Sequence, residues 1–238
     1  MMRFLALILS VLAFAVEAKP LTVYFVRHGQ TQWNLERRFQ GSTSFTDINE
    51  KGVHQAEETR DGLRKAGLRF NRIYTSPYLR AKHTAEIIAG AFGQEPRIDE
   101  RIREMCFGHY EGTFYKDGKY VDENFGFAFN DPEKYVAPPE AETYRAFIDR
   151  VGGFLEDELK PLEGTCDSVL VVAHSGVLRA MLVYLKDIPF ADFWRVPQPN
   201  CCANVIVCEN GRFRVAERGR SFTTETDPAS SSLTKEHH

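Results

Sequence analysis

Val23-Tyr24-Phe25-Val26 is an apolar run with no polar face, and it stops at Arg27-His28-Gly29. A run without alternation reads as a strand buried on both sides, the kind found inside parallel sheets. Ser168-Val169-Leu170-Val171-Val172-Ala173 is a second such run, and it stops at His174-Ser175-Gly176. In open α/β sheets ligands sit just beyond the carboxyl ends of such strands. One histidine at a strand end is ordinarily a satisfied loop residue. The same arrangement on two strands points to a site.

The segments between these runs alternate helix and strand. Residues 33–46 carry Gly41 and small polar residues and read as a loop. Asn49 caps a helix that Gly67 stops, with Val53, Ala56, Leu63 and Ala66 on its buried side and His54 in solvent. Residues 72–75 form a short strand. Ser76-Pro77 then supplies an N-cap followed by proline at the first helical position, which sets Arg80 in the first turn of the next helix. Residues 97–102 read as extended. Residues 144–159 follow helical spacing closely and give one long amphipathic helix with core aromatics. A helix from residue 177 to about 185 follows the His174 strand. Residues 202–208 form another apolar strand, and Asn210-Gly211 turns it tightly into residues 213–215. This order predicts a three-layer α/β/α sandwich with a mainly parallel sheet and an antiparallel edge hairpin.

Residues 107–135 do not fit that alternation. Their dense aromatics, Tyr110, Phe114, Tyr115, Tyr120, Phe125, Phe127 and Phe129, show no clean period and read as an insertion folded over the core. It is either a lid that sets substrate choice or a satellite hydrophobic cluster.

Apolar residues make up 43% of the 238-residue chain, enough for the core of one domain. The net charge of −3 comes without a basic stripe, which argues against a nucleic-acid partner. At the start, Met1-Met2-Arg3, an apolar run over residues 4–16 and Val16-Glu17-Ala18 have the layout of a secretory signal peptide cleaved after Ala18. That run is shorter than the roughly 20 residues a bilayer span needs, so an uncleaved anchor is the second reading. The expected division is a leader over 1–18, a domain over 19–220 with a lid at about 105–140, and a disordered polar tail over 221–238. Export to the periplasm or medium follows, with no stable membrane association once the leader is gone. The five cysteines have no zinc-site spacing, and Cys201, Cys202 and Cys208 read as small buried hydrophobes.

If Arg27, His28, Arg80 and His174 meet at one sheet edge, they suit a phosphoryl group. Guanidinium forks match phosphate oxygens, and an imidazole can attack phosphorus in line once its other nitrogen is engaged as a donor. The alkoxide that leaves needs a proton. Glu104 is the candidate donor, although on spacing alone it reads as a surface residue paired with Arg101 or Arg103.

Arg27-His28-Gly29-Gln30-Thr31-Gln32-Trp33-Asn34 resembles the signature of the histidine phosphatase superfamily, in the branch of cofactor-dependent phosphoglycerate mutases and their phosphatase relatives. The likeness continues through Arg38-Phe39-Gln40-Gly41, Thr75-Ser76-Pro77-Tyr78-Leu79-Arg80-Ala81, Arg103-Glu104, Gly108, Glu111-Gly112 and Ala173-His174-Ser175-Gly176. The resemblance implies His28 as the phosphohistidine and Glu104 as proton donor. It makes Arg27, Arg80 and His174 the phosphate pocket, puts Asn34, Gln40 and Gly41 on the substrate side, and requires no metal or other cofactor. Tyr110-Glu111-Gly112 stands where relatives often carry Trp-Glu-Gly. Glu140-Ala141-Glu142-Thr143 replaces a Gly-Gly-Glu-Ser pattern, so contacts from that loop are in question. Glu104-Met105-Cys106-Phe107-Gly108 resembles the phosphatase pattern more than the mutase one. The expected activity is hydrolysis of a small phosphomonoester. The alternatives are a mutase and a non-catalytic phosphate-binding module on the same fold.

Overall fold

The computed structural model describes residues 19–223. The expected leader and most of the expected tail lie outside the described residues. Phe222, assigned to that tail by composition, packs against Gly62.

In chain order the elements are β1 (Leu21–Arg27), α1 (Gln32–Leu35), α2 (Glu50–Lys65), β2 (Arg72–Thr75), α3 (Leu79–Ala89) and β3 (Arg97–Ile98). Then come α4 (Glu123–Asn130), α5 (Tyr144–Phe154), β4 (Ser168–Ala173), α6 (Ser175–Tyr184), β5 (Ala203–Glu209) and β6 (Arg212–Arg220). They form a six-stranded sheet ordered β3-β2-β4-β1-β5-β6. The first four strands run parallel, while β5 is antiparallel to both β1 and β6.

Successive strand residues point to opposite faces, so each central strand serves two cores. Val23 and Phe25 join Val169 and Val171 under α5 and α6. Tyr24 and Val26 join Leu170 and Val172 under α2 and α3. That is why neither run shows a polar face. Each fully buried Val, Leu or Phe contributes roughly 1.5–3 kcal/mol, and the two central strands carry a dense cluster of them. The architecture is the expected three-layer sandwich.

Several local expectations shift. Residues 33–46 are not all loop, because Thr31 caps α1 by accepting from the Asn34 N–H. On α2, Gln55 and Thr59 are buried where Val53 is partly exposed and Ala66 is exposed. Gln55 turns inward because its Oε1 accepts from the Gln30 N–H. Ser76 does not cap α3, which starts three residues later with Tyr78 as its N-cap. The Ser76 hydroxyl is taken by the Tyr78 N–H and by His174. Residues 97–102 hold only two strand residues, and Asp99 caps a 3-10 turn over Glu100–Ile102. The long helix widens after Phe154 into a π turn over Leu155–Leu159, and Pro161 sits in the final turn. The aromatic insertion contains α4, capped by Asp122, whose Phe125 and Ala128 are buried one turn apart. Asn210 (φ 53°) and Gly211 (φ 71°) make the tight turn between β5 and β6.

Candidate active site

Strand register sets the site. Arg27 pairs with Ala173, so His28 and His174 are the first residues beyond two adjacent parallel strands. The His28 N–H donates to the Ala173 carbonyl at 3.0 Å, and the two rings lie 5.2 Å apart. The turn after His28 needs glycine. A Cβ on Gly29 would stand 2.4 Å from the Gly52 carbonyl oxygen, where α2 presses on the loop.

His28 is buried, and its Nδ1 lies 2.7 Å from the Gly29 carbonyl oxygen. A carbonyl can only accept, so Nδ1 carries the hydrogen and Nε2 presents a lone pair. Burial pushes the His28 pKa well below its ordinary value, with Arg80 and then Arg27 adding to the effect. At neutral pH the ring is a neutral base. His174 is also fully buried. Its Nε2 meets the Ser76 hydroxyl at 2.7 Å, and its Nδ1 has no hydrogen-bond partner. Burial, then Arg80 and His28, keep it neutral as well.

Two expected arginines flank the rings. Arg27 ends β1 and donates through Nη1 to the Gln198 carbonyl at 2.6 Å. Arg80, in the first turn of α3, is 1% exposed. It donates to the carbonyls of Thr43 (2.6 Å) and Gly41 (2.8 Å) and to the Thr46 hydroxyl (3.1 Å), while its Nε has no partner. Burial pulls its pKa down to about 10, which leaves it charged at neutral pH. Gly41 has φ +49°, and a Cβ there would lie 2.3 Å from Glu111 Oε1.

Glu104 is buried rather than on the surface. Its Oε1 accepts from the Met105 N–H and its Oε2 from the Gly176 N–H, both at 3.0 Å. The arginines expected to pair with it do not, since Arg101 binds Asp99 and Arg103 reaches toward Glu100. Arg150 holds the segment instead. It donates to the carbonyls of Arg101, Arg103 and Glu104 and is gripped by both oxygens of Glu142. The Glu140-Ala141-Glu142-Thr143 loop therefore keeps two useful parts, the Glu142 carboxylate and Thr143 as the N-cap of α5.

One cavity of about 700 Å3 is lined by Arg27, His28, Asn34, Gln40, Gly41, Arg80 and Glu104 together. His174 is fully buried and packs edge-on against the His28 ring. Asn34 Oδ1 accepts from the Thr31 N–H to close the α1 cap, and Gln40 Oε1 accepts from the Thr46 hydroxyl, so hydrogen bonds hold both side chains as they face the cavity. The insertion supplies Phe107, Tyr115, Tyr120, Phe129 and Asn130 to the wall. Its rings thus line the cavity and also pack on the main core.

Sequence reasoning missed Arg179, Gln198 and Asn200, which line the same cavity. Asn200 Nδ2 donates to the His28 carbonyl at 2.9 Å. These last two precede β5, and only its antiparallel direction brings its start beside the end of β1. Gln198-Pro199-Asn200 before an apolar run was the available signal.

Comparison with known proteins gives a consistent result. The profile of the histidine phosphatase superfamily (branch 1) matches residues 23–220. The chain is 36% identical over 200 residues to the probable 2-carboxy-D-arabinitol-1-phosphatase of Arabidopsis thaliana, covering 81% of this chain but 39% of that longer protein. It is 30% identical over 191 residues to the adenosylcobalamin/alpha-ribazole phosphatase of Salmonella typhimurium, covering 79% of this chain and 92% of that one. Among solved structures, YhfR of Bacillus stearothermophilus superposes with a TM-score of 0.73 at 32% identity, covering 85% of this chain and 98% of that one.

Proposed function

The chain belongs to the histidine phosphatase superfamily, and on that footing we propose that it hydrolyses phosphomonoesters through a covalent phosphohistidine at His28. One observation carries the reading. Parallel register sets a neutral, tautomer-fixed His28 beside His174, in the cavity that Arg27, Arg80 and Glu104 also face.

In the first half-reaction the Nε2 lone pair of His28 attacks phosphorus, and the N–P bond forms as the P–O ester bond breaks. Arg27, Arg80 and the free Nδ1–H of His174 receive the phosphoryl oxygens, with the Ser76 hydroxyl donating to His174 Nε2. Aligned donors of this kind stabilise charge that develops in the transition state. Glu104 gives its proton to the departing alkoxide. In the second half-reaction water attacks phosphorus, the Glu104 carboxylate takes the water's proton, and the N–P bond breaks. Phosphate leaves and His28 is neutral again.

With a generic aryl phosphate, His28→Ala is expected to lower kcat by at least about 10³-fold, as loss of a nucleophile does. Alkaline quenching of the parent enzyme with labelled substrate should leave acid-labile label on His28. Retained turnover in the variant, or label on serine, would overturn the assignment. The cationic work falls to arginines, so turnover should persist in excess chelator.

The partner in this reading is a small-molecule phosphomonoester rather than nucleic acid. The apolar run and Val16-Glu17-Ala18 support export with cleavage after Ala18. A mature chain beginning at Lys19 outside the cytoplasm would bear this out, and an intact Met1 in the cytosol would refute it.

A further inference from the structure

Two regions of the cavity differ in kind. The inner region holds the catalytic groups. The outer one is walled by Phe39, Tyr120, Phe129 and Trp194. Those rings form a continuous belt: Tyr120 and Phe129 are stacked at 5.2 Å with planes 4° apart, and Phe39 and Trp194 each lie 4.9 Å from Phe129. All four are only partly buried although the core behind them is closed. The Trp194 N–H is already committed to the Tyr144 hydroxyl at 2.6 Å, so what Trp194 offers the cavity is apolar ring surface.

Charge sorts the same way. Among the described residues, the buried cations lining the cavity are Arg27, Arg80 and Arg179, and Glu104 is the only acid on its wall. Arg27 and Arg80 meet the phosphoryl dianion, and Arg179 is committed to the Val196 and Ser175 carbonyls at 3.0 Å each and lies over the Trp194 ring, which leaves no buried cation open to a second anionic group. At the rim, Arg38 already meets Glu36 at 3.5 Å and Arg195 meets Asp192 at 3.0 Å. Arg37 is the remaining rim arginine, and it is exposed, where solvent and salt weaken its pull.

Volume decides between large and small leaving groups. A cavity of about 700 Å3 is of the size that encloses drug-sized ligands, and a phosphoryl group occupies only its inner end. A small phosphorylated acid would leave the ring belt facing water.

We propose that this site selects phosphomonoesters of large, uncharged alcohols that carry a flat aromatic body, held against the Phe39–Tyr120–Phe129–Trp194 belt, over small phosphorylated acids. The proposal rests on the reading of His28 as the phosphate acceptor. Ring stacking and apolar burial hold the body, and Arg27 and Arg80 hold the phosphate.

The test uses alkyl esters with leaving alcohols of similar acidity, so that intrinsic reactivity does not mimic recognition. Ethyl phosphate, 2-(1-naphthyl)ethyl phosphate, phosphoserine and 3-phosphoglycerate are compared by kcat/KM. Burying even two methylene equivalents is worth about tenfold, so the naphthyl ester should exceed ethyl phosphate by tenfold or more and both acids by at least as much. Phe129→Leu and Tyr120→Leu, which keep apolar bulk but remove ring faces, should each shrink the naphthyl-to-ethyl ratio several-fold. Parity between the two esters, a preference for either acid, or an unchanged ratio in both variants would overturn the proposal. Ethyl phosphate turnover that depends on His28 would in that event leave the phosphatase reading standing. No turnover of any ester by the folded protein would remove both.

Discussion

Glu111 touches no expected phosphate ligand, yet it governs where Arg80 points. Its carboxylate accepts from the Ser42 N–H (2.7 Å), the Ser42 hydroxyl (2.8 Å), the Thr43 hydroxyl (3.2 Å) and the Phe107 N–H (3.0 Å). The loop it fixes presents the Gly41 and Thr43 carbonyls, and these two hold the Arg80 guanidinium. Hydrogen bonds to a charged group contribute about 1.5–3 kcal/mol each. In Glu111→Gln the remaining carbonyl oxygen can still serve the Ser42 and Phe107 N–H groups at Oε1, while the bonds at Oε2 and the charge are lost. One such bond, roughly 1.5–3 kcal/mol, is the expected loss of stability, read as a lower urea midpoint. If half of that appears as misplacement of Arg80, kcat/KM falls by about 3- to 12-fold, since 1.4 kcal/mol is a factor of ten. Inhibition by inorganic phosphate should weaken in parallel. The decisive arm is a cycle with Arg80→Ala, in which Glu111→Gln should cost little further activity because its route to the phosphate is gone. Equal losses in both backgrounds, or unchanged phosphate inhibition in the single variant, would refute the coupling.

Two further outcomes follow from the same geometry. In Gly176→Ala the new Cβ would stand 2.2 Å from Glu104 Oε1 and displace the carboxyl, so kcat should drop much more for alkyl esters than for p-nitrophenyl phosphate, whose leaving group needs no proton; equal losses on both would argue against Glu104 as the acid. His28 and His174 have folded pKa values well below 6.5, so the unfolded chain binds more protons once pH falls through 6.5. Their contribution is present above that pH and is lost as pH drops toward the folded values, at up to about 1.4 kcal/mol per pH unit for each ring. Urea midpoints between pH 7.5 and 5.0 should fall accordingly, and less steeply in His174→Asn; an identical slope in the variant would show that the ring does not titrate on unfolding.

The sheet was legible because its central strands are buried on both faces, and nothing but a run of Val, Leu and Phe satisfies that position. The histidines were legible for the same reason, as polar residues that end such runs. Helix starts were less so. Ser76-Pro77 carries a strong capping signal, but the Ser76 hydroxyl was claimed by His174, a residue 98 positions away, and local propensity cannot register that competition. Glu104 illustrates the same limit: its nearest charges in sequence are Arg101 and Arg103, whereas its fold partners are two backbone N–H groups and a carbonyl clamp from Arg150. The α4 helix escaped notice because both its buried and its cavity-facing sides are aromatic, which erases the period.

The direction of β5 explains how the site is assembled and why its two halves should vary separately. β1, β2 and β4 deliver Arg27 and His28, Ser76 and His174 at their carboxyl ends, while antiparallel β5 brings the segment that precedes it to the same rim, with Gln198 against Arg27 and Asn200 against His28. Four neighbouring strands thus hold His28, His174 and the residues around them through backbone register, and a shift of one would break several hydrogen bonds at once. The ring belt has no such anchoring. Tyr120 and Phe129 come from the insertion, and Trp194 from the segment between α6 and β5, joined by side-chain packing and the Trp194–Tyr144 hydrogen bond. Ring substitutions can therefore repack the outer chamber without moving the sheet edge. Changes there should alter which ester is preferred, while the acid and nucleophile steps keep their pH dependence and their reliance on His28.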